Sequence, residues 1–335
     1  MGFVLGVDGG ASKTMAVIGD REGHVLGVGL SGPSNYQIIG LDAAMRNISD
    51  AAKMAADKGD VSIDMLEFAL FGLAGADFPI DFENLTKGIR NMYPSLQFEV
   101  VNDTWVGFRS GTDSDYGGVV IAGTGANFAA AAPDGRRITG RGMGYEWGGQ
   151  GGAGNLIRDA MHFAFRSHDG TGPKTMLEDA VLATLGFPSY DDLSLYMYKV
   201  QSEFAHIYVK AAAIVPQVFM FASRGDQVCI DILADLGSSM GEIIGMMIKT
   251  LGTQELEQDI VMAGGLFAKG ENPILVDSLA LSCHRFVPFA RFKIPDIEPA
   301  GGAYLMGLQK LGVNTKGKVR EMAISTFRQL AASLQ

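Results

Sequence analysis

The first thirty residues alternate between apolar runs and short polar turns. Residues 3–7 and 15–18 are two apolar runs, and the polar segment between them contains Asp8 and two glycines. Apolar runs separated by a glycine-containing turn predict a β-hairpin. The turn at 20–23 then leads into a third predicted strand, 24–30. The chain is therefore expected to open with three antiparallel strands.

Helical and strand-like patterns alternate after this opening. Residues 41–58 place apolar side chains on one face and predict an amphipathic helix, and residues 81–92 predict another. Between them lies 68–73, an apolar run of the kind found in buried parallel strands. A further predicted strand, 98–101, ends at Asn102. Antiparallel strands followed by alternating strands and helices indicate an α/β domain.

The second half of the chain repeats this opening. Residues 117–132 again contain a predicted strand, a glycine turn around Gly123 and Gly125, and a second strand. Farther along, the apolar strand 260–263 runs into further glycines and is followed by a helix that begins near Pro273. The repeated order of elements indicates two α/β halves.

The glycine turns have the chemistry of phosphate sites. Gly9 and Gly10 can adopt positive φ and have no Cβ, so backbone N–H groups can close around an anion, and Ser12, Lys13 and Thr14 add donors. An ordinary hairpin explains this first segment equally well when it is taken alone. Two glycine-turn hairpins could hold one polyphosphate from opposite sides, and a nucleobase could lie against the bare backbone of the third glycine turn, after strand 260–263. Three such turns, each at the end of an apolar strand, favour this interpretation over ordinary turns.

Composition narrows the functional classes. The chain has 335 residues, of which 47% are hydrophobic, and a formal net charge of -10. This length suggests two domains, and the lack of a basic stripe argues against a nucleic-acid partner. Cys229 and Cys283 are too few for a disulfide framework or a zinc ribbon, which predicts a reducing, cytoplasmic location. No signal-peptide pattern or apolar run of about 18 residues predicts membrane attachment.

The glycine turns and the segments between them resemble the motifs of the actin-like ATPase superfamily, and more narrowly of the BadF/BadG/BcrA/BcrD ATPase and N-acetylglucosamine kinase family. The five matching segments are, in order, 8–14, 102–103, 123–127, 263–265 and 299–303. The resemblance covers nearly the whole chain. It implies an α/β fold with two actin-like (ribonuclease H-like) domains around a central ATP cleft. The implied domains are 1–115, joined by a C-terminal helix in 318–335, and 116–317.

The resemblance also implies the cofactors ATP and Mg²⁺. The implied cofactor-binding residues are Asp8, Gly9, Gly10, Ser12, Lys13, Thr124, Gly125, Asn127, Gly264, Gly265 and Ala268. Asp8 is the implied metal residue, and it would hold Mg²⁺ through water because that ion keeps much of its hydration shell. Without the resemblance, Asp8 is simply a turn residue. Lys13 either touches a phosphate oxygen or is a solvated charge, and the sequence supports both equally.

Asp103 matches the general base of this family, the carboxylate that accepts the proton of the substrate hydroxyl as it attacks the γ-phosphate. Aspartate is also a common helix N-cap residue, so the sequence leaves a purely structural role open. The activity implied by the resemblance is that of an ATP-dependent carbohydrate kinase. Kinases of this kind often form dimers, so we also expect a homodimer.

The identity of the phosphoryl acceptor is the feature that the sequence determines least. The implied substrate-binding residues are Asn35, Asp103, Glu146 and Gln150. Asn35 matches a sugar-hydroxyl ligand, although Gln37 replaces one of the two aromatic residues that follow it in the family. Gly149 and Gln150 replace two acidic residues of the family, and this change removes carboxylates that would repel an anionic acceptor. The nearby Glu146 would replace part of the lost negative charge. We therefore expect a sugar acid, specifically 2-keto-3-deoxygluconate, with N-acetylglucosamine as the alternative.

Three other functions have weaker support. Residues 149–154 satisfy the GxGxxG pattern of dinucleotide folds, but the preceding residues, 144–147, are not a predicted strand. A redox ATPase that activates a dehydratase, the other known use of this family, needs thiolates for an iron–sulfur cluster, and no cysteine precedes Cys229. A non-catalytic ATP-dependent regulator would keep the phosphate motifs, and Asp103 argues against it.

Overall fold

A computed structural model describes residues 2–200, 205–268 and 273–332. The strands described are β1 (Phe3–Gly9), β2 (Thr14–Asp20), β3 (Val25–Ser31), β4 (Leu66–Leu73), β5 (Phe98–Asn102), β6 (Gly117–Ala122), β7 (Ala126–Ala131), β8 (Arg137–Thr139), β9 (Gln258–Ala263) and β10 (Ala290–Lys293). The strand β3 begins one residue later than predicted. His24 still belongs to the turn because the Asp20 carboxylate accepts hydrogen bonds from its backbone N–H, at 3.0 Å, and lies 2.8 Å from its ring.

The strands form two sheets with the same topology. The first has the order β3-β2-β1-β4-β5, and the second has the order β10-β9-β6-β7-β8. In the first sheet β1 pairs antiparallel with β2 and parallel with β4. In the second sheet β6 likewise pairs antiparallel with β7 and parallel with β9. Each sheet is therefore an antiparallel meander extended by two parallel strands, which confirms the predicted α/β class and its internal repeat.

Helices cover the faces of both sheets. The α-helices of the described chain are α1 (Tyr36–Ile39), α2 (Leu41–Gly59), α3 (Pro79–Met92), α4 (Asp103–Gly111), α5 (Ala153–His168), α6 (Leu177–Leu185), α7 (Tyr190–Val200), α8 (Ala205–Ala211), α9 (Val215–Ser223), α10 (Gln227–Leu251), α11 (Gly265–Ala268), α12 (Ile274–His284), α13 (Pro299–Lys310) and α14 (Lys318–Ala331). None of these helices has the length and apolar character needed to cross a membrane.

The helix α2 packs closely on β3 because two glycines in the strand leave room for it. A Cβ at Gly27 would lie 1.9 Å from the carbonyl oxygen of Ala55, and one at Gly29 would lie 2.0 Å from that of Ala51. Next along the chain, α3 starts two residues earlier than predicted. Pro79 occupies its first turn, and the Asp81 side chain accepts a 2.7 Å hydrogen bond from the backbone N–H of Phe78. This capping extends the helix toward the end of β4.

Two helices, α4 and α13, lie between the sheets and connect them. Their side chains share one buried cluster that includes Leu70 of the first sheet and Val119 of the second. Gly302 in α13 faces the α4 backbone so closely that a Cβ there would lie 2.2 Å from the carbonyl oxygen of Val106. These contacts hold α4 and α13 together as one unit between the two sheets.

The C-terminal helix α14 connects the unit formed by α4 and α13 to the first sheet. Its Thr326 hydroxyl accepts a 2.9 Å hydrogen bond from the backbone N–H of Val25 in β3. The buried Arg320 guanidinium donates to the carbonyl oxygens of Arg109, at 2.9 Å, and Ser110, at 2.8 Å, in the last turn of α4. It also pairs with Asp296, which precedes α13, at 2.5 Å. A single side chain thus joins α14 to the end of α4 and the entry to α13.

We expect Gly302→Ala to destabilise the fold by about 2 kcal/mol, because the added methyl group would press on backbone rather than on a movable side chain. Gly107→Ala is the matched control in α4. Its closest contact would be the movable end of the Ile121 side chain, at 2.9 Å, so relaxation and helix propensity should offset the contact. Urea unfolding midpoints measure both changes. Equal midpoints for the two variants would contradict the close helix contact.

Candidate active site

The turn between β1 and β2 is fixed by backbone hydrogen bonds. The N–H of Gly10 donates to the carbonyl of Lys13 at 2.9 Å, and the Gly10 carbonyl accepts from the N–H of Ser34 at 2.9 Å. The Gly9 carbonyl accepts from the N–H of Ala74 at 2.8 Å. Neither glycine has positive φ, so the conformational reason expected from the sequence was wrong. Gly9 is required instead because a Cβ would lie 2.4 Å from the Ser34 hydroxyl oxygen.

Charged groups surround this turn. Ser12 and Lys13 are exposed, and the Lys13 ammonium lies 3.6 Å from the Glu298 carboxylate at the N-terminus of α13. Burial raises the pKa of Asp8 to about 7, with a further increase from the Asp103 charge and an opposing decrease from Lys13. Sequence reasoning did not identify Glu298 as a neighbour of this turn, because only the path of α13 brings it there.

Asp103 begins α4 but does not cap it. The cap is Asn102, whose side-chain oxygen accepts hydrogen bonds from the backbone N–H of Thr104, at 3.0 Å, and from its hydroxyl, at 2.6 Å. Burial raises the pKa of Asp103 to about 7, and the charge of Asp77 adds to this increase. The structural role that the sequence left open for Asp103 therefore belongs to its neighbour, and the Asp103 carboxylate remains at the helix N-terminus.

Asp77 is a site residue that sequence reasoning missed. It follows β4, and its side chain accepts a 2.9 Å hydrogen bond from the Asn102 amide nitrogen. Burial and the charge of Asp81 raise its pKa to about 6. Its position gave a signal, since ligands in α/β sheets bind beyond the carboxyl ends of parallel strands, and β4 lies between β1 and β5.

Asn35 lies at the same edge of the first sheet. Its side-chain oxygen caps α1 by accepting a 3.1 Å hydrogen bond from the backbone N–H of Gln37. The same oxygen lies 2.8 Å from where a Cβ of Gly75 would be, so α1 packs on the turn that leads to Asp77. In the described chain the Asn35 amide nitrogen donates no hydrogen bond to a protein atom. The first half therefore gathers Asn35, Asp77 and Asp103 beside the turn after Asp8.

The second half contributes its own turn between β6 and β7. The N–H of Gly123 donates to the carbonyl of Gly125 at 2.9 Å, and the Gly123 carbonyl accepts from the N–H of Ala153 at the start of α5, also at 2.9 Å. The Thr124 carbonyl accepts from the N–H of Gly154 at 3.3 Å. Gly264 follows β9 with a φ of 101°, and a Cβ there would lie 2.4 Å from the Ala122 carbonyl oxygen. The structure thus places the two predicted glycine motifs of this half side by side.

Three glycines in this region have no structural reason to be glycine. A Cβ at Gly123, Gly125 or Gly265 would meet nothing within 4 Å, and none of the three has positive φ. Among the glycines that the structure describes, these are the ones that combine open space with an ordinary backbone conformation. Bare backbone facing open space is what a phosphate or nucleoside would need, so the residues present fit a nucleotide. Ala268 is exposed at the end of α11 beside them.

Asn127 lies in β7 just after the second glycine turn, and its contact with phosphate remains a prediction. Its side-chain oxygen accepts a 2.9 Å hydrogen bond from the backbone N–H of Phe128 and packs against Gly140. The position of a Cβ at Gly142 is 3.5 Å from the Asn127 amide nitrogen and 3.4 Å from an Asp77 oxygen. Asn127 therefore lies where the second half meets Asp77, on the side of the predicted acceptor.

The predicted acceptor residues of the second half are only partly placed. Gln150 is half-buried and precedes Gly151, which packs against Ala126 next to the second glycine turn. The side chain of Glu146 lies outside the part of the chain that the structure describes. The segment before Gln150 contains a short 3₁₀ helix, Tyr145–Trp147, rather than a strand, so the dinucleotide-fold alternative fails as expected.

No group of three or more metal-binding side chains occurs among the described residues. Cys229 and Cys283 are both buried, and burial raises the pKa of each thiol to about 12. Neither thiol is thus poised to act as a thiolate ligand at a surface shared between subunits.

A family model described as the BadF/BadG/BcrA/BcrD ATPase family matches residues 5–307. The chain belongs to this family. It is 30% identical over 321 residues to an N-acetyl-D-glucosamine kinase of Dictyostelium discoideum, covering 91% of this chain and 97% of that protein. It is 28% identical over 267 residues to an N-acetylmuramic acid/N-acetylglucosamine kinase of Clostridium acetobutylicum, covering 79% of this chain and 86% of that protein.

The fold matches that of a Chromobacterium violaceum protein of known structure, which is named as a candidate N-acetylglucosamine kinase. The TM-score is 0.68 at 20% identity, over 91% of this chain and 99% of that one. The family's fold of two actin-like α/β domains is therefore the fold of this chain. Neither of these two relatives is named for 2-keto-3-deoxygluconate, so that specific acceptor gains no support, and the N-acetylglucosamine alternative fits their names better.

The raised pKa of Asp103 predicts that Asp103→Asn stabilises the ligand-free protein at pH 8. The unfolded chain ionises this carboxyl near pH 4, whereas the folded chain does so near pH 7, so stability is lost as the pH rises between these values. The gain in Tm should therefore be largest at pH 8 and vanish near pH 4. Asp134→Asn is the control, because this exposed carboxyl has a lowered pKa and its loss should not stabilise. A gain independent of pH would contradict the prediction.

The open space at Gly125 predicts a variant that folds normally but binds nucleotide poorly. Gly125→Ala adds a methyl group that meets no protein atom, so its Tm should equal that of the wild type. The methyl group would occupy the space proposed for phosphate, and the Kd for Mg-ATP should rise by about tenfold or more. Calorimetric titration measures the Kd, with Gly107→Ala as the control that should keep it. Unchanged affinity in Gly125→Ala would remove this turn from the nucleotide site.

Proposed function

We propose that this chain is an ATP-dependent carbohydrate kinase that phosphorylates a hydroxyl of an N-acetylated amino sugar, with N-acetylglucosamine as the best candidate. The observation that carries the proposal is the arrangement around Asp103. This carboxylate lies on the first residue of α4, which Asn102 caps, and it is near Asp8 and Asp77 at the edge of the first sheet that also carries Asn35. Membership of the family and the names of the curated relatives support a sugar as acceptor.

The nucleotide would lie between the two glycine turns. Thr124, Gly125, Gly264, Gly265 and Ala268 would contact phosphate and nucleoside from the second half. From the first half, the turn formed by Gly9, Gly10, Ser12 and Lys13 would face the β- and γ-phosphates. Asp8 would hold Mg²⁺ through water, and the ion would neutralise charge on the phosphates.

Asp103 would act as the general base toward the acceptor. A base works best when its pKa lies near the working pH, and the pKa of Asp103 is about 7. The free amide nitrogen of Asn35 would donate to a sugar oxygen, and Gln150 would approach from the second half. We keep the division into 1–115 with 318–335 and 116–317 as part of this proposal. Closure of these domains would exclude water from the γ-phosphate.

A neutral acceptor also agrees better with the charges at this site. The sugar-acid expectation considered the missing acidic residues at 149–150 and Glu146. Asp77 and Asp103 lie close together in the first half, on the side proposed for the acceptor, and two carboxylates would repel a third anion at short range.

We expect ADP release from Mg-ATP to be stimulated by N-acetylglucosamine more than by glucosamine, glucose or 2-keto-3-deoxygluconate. N-acetylmuramic acid belongs in the panel because one relative carries its name. Asp103→Asn should lower kcat by about two to four orders of magnitude and leave the Kd for ATP unchanged, since only proton transfer is lost. A coupled assay for ADP measures the rates. Stimulation by the keto acid alone would restore the sugar-acid hypothesis, and no stimulation by any sugar would favour a regulator.

A further inference from the structure

Asp77 has one carboxylate oxygen that the protein uses and one that it leaves open. Oδ1 accepts a 2.9 Å hydrogen bond from the amide nitrogen of Asn102. Oδ2 has no hydrogen-bond partner among the described residues, and no Lys or Arg there pairs with this carboxylate. A half-buried carboxylate without a cation is costly to keep ionised, and such groups occur most often at functional sites.

The backbone around Asp77 is held rigidly. Its N–H donates to the buried carboxylate of Asp81 at 3.2 Å, and the N–H of Phe78 donates to the same group at 2.7 Å. The hydroxyl of Tyr36 also donates to Asp81. Burial by itself would raise the pKa of Asp81, but these hydrogen bonds hold it below its ordinary value, so the group stays ionised. Asp81 thereby joins Tyr36, next to Asn35, to the turn that carries Asp77.

The Asp77 carboxylate lies near residues of both halves. Asp77 lies close enough to Asp103 to raise the pKa of that group. On its other side, the Cβ position of Gly142 is 3.5 Å from Oδ2 of Asp77 and 3.5 Å from the amide nitrogen of Asn127. Asp77 is therefore placed between Asp103 and the part of the second half that approaches the acceptor.

We propose that Asp77 is a substrate-binding residue, whose open carboxylate oxygen accepts a hydrogen bond from a hydroxyl or amide N–H of the acceptor beside Asp103. The inference rests on the proposed kinase function. It assigns Asp77 to acceptor affinity and orientation, whereas Asp103 takes the proton in the chemical step. The hydrogen bond to Asn102 fixes the carboxylate plane, and Asp81 fixes its backbone.

The first test is Asp77→Asn, which keeps the size of the side chain and an oxygen for Asn102 to donate to. An amide nitrogen would replace the open oxygen and could not accept. Hydrogen bonds to charged groups contribute roughly 1.5–3 kcal/mol, so the KM for N-acetylglucosamine should rise by about tenfold to a hundredfold. The Kd for ATP should stay unchanged, and kcat should fall far less than in Asp103→Asn. An unchanged acceptor KM would overturn the inference.

The second test identifies the hydrogen bond directly. Monodeoxy analogues of N-acetylglucosamine and glucosamine are assayed with the wild type and with Asp77→Asn, as a double-mutant cycle between protein and acceptor. One analogue should lose affinity with the wild type and lose no more with Asp77→Asn. Asp134→Asn is the control, because the exposed Asp134 carboxylate pairs with Arg136 rather than with a residue of the proposed site, so any small loss it causes should add to that of every analogue. Additive losses for Asp77→Asn with every analogue would overturn the inference.

Failure of the proposed kinase function and failure of the Asp77 inference give different results. A wild-type protein that no sugar stimulates fails the proposed function and the inference together. A wild-type protein that N-acetylglucosamine stimulates, with an Asp77→Asn variant of equal KM, retains the function and loses only the inference. Asp77→Ala provides a second variant if Asp77→Asn does not fold, with the same expected rise in KM.

Discussion

The close contact of two helices with each other and with β1 determines where the carboxylates of the site stand. Gly302 lets α13 approach the Val106 carbonyl of α4, and Gly6 lets β1 approach the backbone of Tyr304 in α13, where a Cβ would lie 2.1 Å from the Tyr304 nitrogen. The strand β1 ends after Asp8, and α4 begins with Asp103. Since α13 touches both elements without intervening side chains, it fixes the distance between the proposed metal residue and the proposed base.

The C-terminal helix completes this constraint from outside. Arg320 binds carbonyl oxygens at the end of α4, where a cation also interacts favourably with the helix dipole, and it pairs with Asp296 just before α13. A buried guanidinium has a large desolvation cost, which is offset here by several carbonyl and carboxylate acceptors. The last helix of the chain thus restrains the end of α4 that lies away from Asp103. Any movement between the halves must take place around this fixed unit.

The sequence predicted the elements better than it predicted the site. Apolar runs and glycine turns located the hairpins because both signals are local, and the repeat of the first hairpin in the second half was visible for the same reason. Asp77, Glu298 and the capping role of Asn102 were missed because each depends on which strand or helix lies beside it. The sugar-acid hypothesis compared carboxylates within one segment, 146–150, and did not include Asp77, which the fold brings near Asp103 from another part of the chain. The early start of α3 depended on the side chain of Asp81, which the helical period does not reveal.

The two halves contribute different chemical groups to the proposed site. One contributes exposed backbone, and the other contributes carboxylates. The second half presents backbone without side chains at Gly123, Gly125 and Gly265, and the open space beside them would suit phosphate. The first half concentrates carboxylates whose pKa values are raised, which is unfavourable for the ligand-free protein. Carboxylates would repel phosphates unless a cation lay between them, and Asp8 beside Lys13 is the place for one. Asp103 and Asp77 stand beyond that point, where hydroxyl donors of a neutral acceptor would relieve their poor solvation. Under the proposed function, this charge distribution would place the nucleotide on the second half, the acceptor on the first half, and the cation between them.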